Sequence, residues 1–359
     1  MLKAEFWNGR RVFVTGHTGF KGSWLCIWLN HLGAKVTGYA LPPPTEPSLF
    51  EAAGVASLID SRTADVRDQA ALQAALLDAQ PEIVIHMAAQ SLVRYSYDYP
   101  VETFATNVLG TVHLLDAVRH CPAVRAVVVV TSDKCYYNEE WVWGYREDSR
   151  LGGHDPYSGS KGCAELVVTS YRASYFDAAR HADCAAVGSA RAGNVIGGGD
   201  WALDRLVPDI LRSLLKNQPT LIRNPQATRP WQHVLEPLHG YLMLAERLYI
   251  DGQTFASAWN FGPPEESERT VGWIIEHLYE MWGVDFEWTR DHNPGPPEST
   301  FLKLDASKAR AQLRWRPKLN LETTLSWIVE WTRRYQAGNE MLEVSLGDID
   351  RFMAITPPA

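Results

Sequence analysis

Short apolar runs alternate with stretches of helical period through the first half of the chain. Arg11–Val14 reads as a strand, Ser23–Leu32 as a helix closed by Gly33, and Lys35–Tyr39 as a second strand. Asp68–Ala79 and Val108–His120 carry helical periodicity. Between them lies the strand Ile83–Ile85, and after them a valine run ending at Thr131. Runs such as Val127–Val130 have the length of buried strands, far short of the roughly 20 apolar residues of a membrane span. Strand–helix alternation at this spacing predicts an α/β fold with a doubly wound parallel sheet, helices covering both faces.

The pattern changes after about residue 190. Glycine and proline become dense, as in Gly197-Gly198-Gly199 and Pro294-Gly295-Pro296-Pro297, loops lengthen and tryptophans recur. This predicts a nucleotide-binding domain over 1–190 and a smaller, irregular α/β domain over 191–359 that closes on it. Helical patterns at His239–Leu248 and Thr323–Tyr335 imply partial interleaving, with segments near 233–262 returning to the first domain. Thr356-Pro357-Pro358-Ala359 reads as a frayed tail.

Composition narrows the partners. The 359 residues allow about two domains. With 34 basic against 42 acidic residues the net charge is -8, which argues against a nucleic-acid or anionic-membrane surface. An anionic ligand must then be held by local cations in a pocket. Five cysteines without a C-x-x-C pair fit a reducing cytosol, not a disulfide framework or a zinc knuckle. The start of the chain lacks the apolar run of a signal peptide. The eleven histidines do not cluster at ligand spacing, so no metal site is expected.

Thr15-Gly16-His17-Thr18-Gly19-Phe20-Lys21-Gly22 follows the first strand and opens the first helix. Glycines at that junction permit a tight turn and close approach of backbone N–H groups to a pyrophosphate, with the helix N-terminus favouring its charge. A P-loop would need a glycine where Lys21 stands. Lys21 faces either the phosphates or solvent, and His17 either the cofactor–substrate boundary or the surface. The second strand ends in Tyr39-Ala40-Leu41 without the acid that would grip the adenosine ribose of NAD, leaving NAD and NADP both open. Asp65, followed by Val66, would contact adenine or cap the next helix.

Asp155-Pro156 is a good helix start, so Tyr157 and Lys161 share a helix face at i,i+4. An ammonium beside a phenol lowers its pKa from about 10, as removal of an alcohol proton near neutral pH requires. Thr131-Ser132-Asp133-Lys134 ends the valine strand, and carboxyl ends of strands face the ligand crevice in such sheets.

With these motifs, and with His86-Met87-Ala88-Ala89, Asn107 and Arg229-Pro230-Trp231-Gln232-His233-Val234, the chain resembles the extended short-chain dehydrogenase/reductase family over about Arg11–Leu325. Within it the chain is most similar to nucleotide-sugar 4,6-dehydratases, those acting on CDP-glucose above all. Asp133-Lys134 and the segment Arg191-Ala192-Gly193-Asn194-Val195-Ile196-Gly197-Gly198-Gly199-Asp200-Trp201 carry that likeness. The resemblance implies a Rossmann-type fold with NAD as cofactor. NAD would lie against Gly16, His17, Gly19, Phe20, Gly22, Asp65, Val66, Ala88, Ala89, Asn107, Tyr157 and Lys161. It implies oxidation at C4, loss of a C5 proton, loss of water from C6, and return of the hydride to C6. Tyr157 would take the C4 hydroxyl proton, Lys161 tune it, Ser132 orient the hydroxyl, and Asp133 protonate the departing oxygen. Lys134 stands where related enzymes place Glu. It would act as the C5 base if neutral, or stabilise the enolate as a cation while another group, such as His17, moves the proton. Arg94, Asn194, Trp201, Arg205, Arg229 and Glu298 would hold CDP-glucose or a similar nucleotide sugar, and Trp231 is an alternative wall. Family members pair through a four-helix contact, so a homodimer or homotetramer is expected, through the helices Val108–His120 and Tyr157–Ser174. A 4-epimerase or reductase of the same family, or a non-catalytic NAD-binding regulator, are the alternatives. The Asp133-Lys134 pair disfavours the first, the presence of both Tyr157 and Lys161 the second.

Overall fold

Seven strands form one parallel sheet in the computed structural model: β1 (Arg11–Thr15), β2 (Lys35–Ala40), β3 (Asp60–Thr63), β4 (Ile83–His86), β5 (Ala126–Val130), β6 (Ala186–Arg191) and β7 (Ala258–Asn260). Their spatial order is β7-β6-β5-β4-β1-β2-β3, so the chain runs outward to one side and then returns to build the other. The structure describes residues 2–181, 183–285, 288–291 and 301–356. Glu298, the proline-rich turn at 294–297 and the tail 357–359 lie outside them.

Alternation along the strands sorts the core into two layers. Val12, Val14, Ile83, Ile85 and Val128 pack toward α1 (Phe20–His31), α6 (Leu235–Asp251) and α9 (Met341–Ala354), with Trp24, Trp28, Leu238 and Phe352 filling the space. Phe13, Val84, Val127 and Val129 point the other way, toward α2 (Gln69–Ala79), α3 (Gly110–Arg119) and α4 (Pro156–Tyr175). Strands covered on both faces need no polar alternation, which is why the sequence shows them as plain apolar runs. A third cluster joins Ile196, Ile210, Ile222, Ile274, Leu278 and Ile328, tying α5 (Leu206–Leu215), α7 (Val271–Trp282) and α8 (Leu321–Gln336) together beside the sheet's carboxyl edge. The chain crosses back from this cluster to the sheet through α6 and β7.

Local chemistry fixes the element ends. Asp68 caps α2, accepting the Ala71 N–H at 3.0 Å, so Asp65 is not the cap. Asp155 caps α4 through the Ser158 N–H at 2.9 Å and its hydroxyl at 2.6 Å, with Pro156 at the first helical position. The helix expected over Val108–His120 begins instead with a π-turn at Ala105–Leu109, which carries Asn107.

Candidate active site

Strand order reverses between β1 and β4, and the carboxyl ends of these strands form the floor of a cleft of about 1560 Å³. That exceeds the roughly 300–1,000 Å³ of a one-ligand pocket and suits a dinucleotide beside a second large ligand. The Thr15 hydroxyl accepts the N–H groups of Met87 and Ala88, each at 3.1 Å, and lies 2.7 Å from His86 Nδ1, locking the two strand ends together.

The glycine turn fits a pyrophosphate by its lack of side chains. Gly16 has φ +77°, and a Cβ there would stand 2.7 Å from the Ala88 nitrogen. A Cβ at Gly22 would stand 2.0 Å from the Gly16 carbonyl oxygen. Gly16, Gly19, Phe20 and Gly22 line the cleft at the amino end of α1, with Ala88, Ala89, Asp65 and Val66 around them. Asp65 is held by Arg67, 2.8 Å from its backbone N–H and 2.6 Å from its guanidinium.

Two expected cofactor residues sit behind this wall. The His17 ring is fully buried, 2.8 Å from the Ser61 hydroxyl and tight against Gly38, where a Cβ would fall 2.5 Å from it. Burial draws its pKa down to about 4, so the ring is neutral, and outside the cleft it has no path to a sugar proton. Only its backbone remains for the cofactor. Asn107 accepts the Gln90 N–H at 2.9 Å and donates to Gln90 O at 3.0 Å and Ser160 Oγ at 2.8 Å. It braces the loop after β4 against α4 and does not line the cleft. Lys21, by contrast, lines it, with Nζ 3.3 Å from the Tyr241 hydroxyl. Burial, then Lys161 and Arg205, draw its pKa down to about 7. The Asp133 carboxylate opposes this shift.

The reacting groups converge where β5 ends against the first turn of α4. Ser132, Asp133, Tyr157 and Lys161 are all buried yet line the cleft. Burial pushes the Tyr157 phenol up to about 12, and Asp133 adds to this; hydrogen bonding to Ser132 and the charge of Arg205 oppose it. The drop expected from a neighbouring ammonium is not seen in the protein alone, where desolvation is the largest influence. Burial also lowers Lys161 to about 8. Ser132 donates to Asp133 Oδ1 at 2.9 Å, while Asp133 Oδ2 is buried without a partner among the described residues. A Cβ on Gly193 would lie 1.8 Å from that oxygen, so the carboxyl nests where only glycine leaves room. Lys134 is half-buried on the cleft wall.

At the other end, Arg94, Asn194, Trp201, Arg205 and Arg229 all line the cleft. The Asn194 amide nitrogen is buried with no partner among the described residues, and so is Arg94 Nη2. Arg205 reaches Asp200 at 3.0 Å and Ser91 at 2.9 Å. Trp201 leans on Trp331 and Tyr335, ring centroids 5.5 and 4.9 Å away, and Trp231 is buried with Nε1 3.1 Å from Arg269 O. Glu298 lies outside the described residues. Tyr241 and Ser96, which touch Lys21 and Tyr157, were not anticipated, and Gly193 was read only as part of a motif. Ser96 Oγ accepts the Tyr157 N–H at 3.2 Å, and neither Tyr241 nor Ser96 carries a local sequence signal.

The model of the GDP-mannose 4,6 dehydratase family matches residues 13–327. The chain belongs to that family of extended short-chain dehydrogenases/reductases. Within the family, the chain is 53% identical to a CDP-glucose 4,6-dehydratase of Salmonella typhimurium over 357 residues, 99% of each chain. A GDP-mannose 4,6 dehydratase of Caenorhabditis elegans is 25% identical, covering 89% of this chain and 88% of its own. Among solved structures, the dTDP-glucose 4,6-dehydratase of Streptomyces venezuelae, with NAD and TYD bound, superposes with a TM-score of 0.77 at 22% identity. That alignment covers 92% of this chain and 99% of the other, and it establishes the Rossmann-type fold.

Proposed function

We propose that the chain catalyses NAD-dependent dehydration of CDP-glucose to CDP-4-keto-6-deoxyglucose and water. The observation that carries this reading is the convergence of Tyr157, Lys161, Ser132 and Asp133 at one strand end of a two-ligand cleft, in a chain 53% identical to a CDP-glucose 4,6-dehydratase. NAD is favoured over NADP. The residues lining the adenosine side, Ala40, Leu41, Pro42, Ala64, Asp65 and Val66, include no cation for a 2′-phosphate.

NAD, held by the glycine turn of Gly16, Gly19 and Gly22 with Asp65 and Val66, would supply the hydride acceptor for C4 and the donor for C6. Tyr157 receives the C4 hydroxyl proton, with Ser132 fixing the hydroxyl's direction and Lys161 balancing the phenolate charge. The C4 ketone acidifies C5–H. Lys134, on the cleft wall, removes that proton if neutral and gives it back to C5 as hydride arrives at C6. Asp133 gives its proton to the departing C6 oxygen, so water leaves as the C5–C6 double bond forms. Arg205, Arg229 and Arg94 offer guanidinium forks to the diphosphate, and Asn194 an unused amide donor. Residues 191–359 supply these groups as the substrate-binding part, apart from Arg94.

A second copy of the chain pairs through α3 and α4. Leu109 and Leu166 stand 50% and 58% exposed there, with Val101 at 82% nearby. Such a set is costly to leave in water. Light scattering should give a mass of twice the chain or more, and Leu166→Glu should reduce it.

To test the function, purified protein is offered CDP-, dTDP-, UDP- and GDP-glucose and the products are identified by mass and NMR. Turnover of CDP-glucose to a 4-keto-6-deoxy sugar supports the reading. A 4-epimer, or no turnover with any of the four, overturns it.

A further inference from the structure

Behind the catalytic face lies a buried ion pair that the reaction scheme does not use. Glu165 lies on α4 one turn beyond Lys161, and Arg191 is the last residue of β6. They meet at 2.7 Å with side chains 1% and 3% exposed. The Glu165 carboxylate also accepts the Thr131 hydroxyl at 2.5 Å and the Ser189 hydroxyl at 2.8 Å. Arg191 Nη1 donates to the Tyr136 hydroxyl at 2.6 Å and to Glu147 O at 3.1 Å, and Tyr136 donates to Asn260 at 2.7 Å.

Three points of this network adjoin residues of the site. Thr131 precedes Ser132, Tyr136 follows Lys134 by two positions, and Arg191 precedes Gly193 by two. A buried pair of this kind is weak evidence for stability, because apolar residues of the same volume often serve as well. Its connections point elsewhere. We propose that Glu165, anchored by Arg191, is a positioning residue: it clamps the helix bearing Tyr157 and Lys161 to the strand ends bearing Ser132 and Asp133, and it sets a carboxylate one helical turn from Lys161. This rests on the reaction proposed above.

The charges around Lys161 support it. From α1 it faces Lys21, from β4 His86, from the turn after β5 Cys135, and from its own helix Glu165; Arg191 and Arg172 lie beyond Glu165. Lys21 is a cation or neutral, and His86 is neutral, its pKa drawn down to about 3 by burial. Cys135 is a neutral thiol, raised by burial. Glu165 stays ionised, since Arg191 and the two hydroxyls outweigh the burial that opposes its charge. It is thus the anion that counters desolvation of Lys161.

Glu165→Gln keeps the shape and the acceptor oxygen but removes the charge. With CDP-glucose, the pH above which kcat falls should drop by about one unit, while KM stays within about twofold. Glu165→Asp, which restores the charge on a shorter arm, should return that limb of the profile to its wild-type position with kcat still reduced. A folded Glu165→Gln with the wild-type limb and kcat overturns the proposal. If Glu165→Gln does not fold, Glu165→Gln/Arg191→Met leaves no lone buried guanidinium. A lowered limb in that variant supports the proposal, and a wild-type limb overturns it. Wild-type enzyme in the same assay reports separately on the reaction, because failure to form a 4-ketosugar at any pH refutes the function and not the clamp.

Discussion

Substituting Gly193 by alanine should separate folding from chemistry. The added Cβ would stand 1.8 Å from Oδ2 and 2.1 Å from Cγ of Asp133, so the carboxyl must retreat by about 1 Å or more. The colliding atoms are the end of a side chain and not backbone, so the fold absorbs the change by turning Asp133 off its present rotamer, at a cost of about 1 kcal/mol. The chemistry does not absorb it. A displacement of about 1 Å in a proton donor lowers turnover by about 100-fold. The loop itself has little freedom to yield, since Gln232 Nε2 donates to Gly193 O at 3.1 Å and to Phe261 O at 2.9 Å. The assay follows 4-ketosugar formation from CDP-glucose, together with thermal unfolding and exchange of the C5 proton with deuterated solvent. Turnover should fall while melting changes little, and C5 exchange should continue, because Asp133 acts after the C5 proton has left. Wild-type turnover in Gly193→Ala would refute the placement of Asp133 as the acid at C6.

Lys134→Ala should still oxidise C4 but lose C5 solvent exchange, measured as deuterium incorporation; normal incorporation would remove Lys134 from the base role. Asp155→Ala removes the cap on the turn that carries Tyr157 and should cost about 1 kcal/mol in denaturant unfolding, with a fall in kcat. Glu236 is raised by burial from 4.5 to about 7, so its stabilisation is fully present below pH 4.5 and is lost as pH rises through about 7. Glu236→Gln should therefore be more stable than wild type at pH 8 by up to about 3 kcal/mol, with the gain vanishing in acid; equal stability at pH 8 would contradict this.

The motifs with a local rule behind them were legible in the sequence. Asp155-Pro156 announces a helix start, which sets Tyr157 and Lys161 on one face, and valine runs announce strands covered on both sides. The glycine turn was readable because its glycines answer to a steric demand within a few residues. Side-chain direction was not readable. His17 turned inward because Gly38 on the next strand leaves a hole of its size, a fact about β2 and not about the turn. Asn107 was absorbed by Gln90 and Ser160, partners 17 and 53 positions away. Tyr241 and Gly193 entered the site through long-range packing. Glu165 had a signal, standing four residues after Lys161 on the same helix face, yet its partner Arg191 comes from another strand. The pKa of Tyr157 shows the same limit. The i,i+4 spacing was evident, but the depth of burial that raises the phenol belongs to the folded chain.

The most direct test of the account is the fate of the hydrogen on C4. CDP-glucose carrying deuterium at C4 is converted by the enzyme and the product analysed by NMR. Oxidation at C4 followed by return of the same hydride predicts deuterium in the C6 methyl group of a 4-keto-6-deoxy product. Deuterium retained at C4 of an epimerised sugar would contradict it.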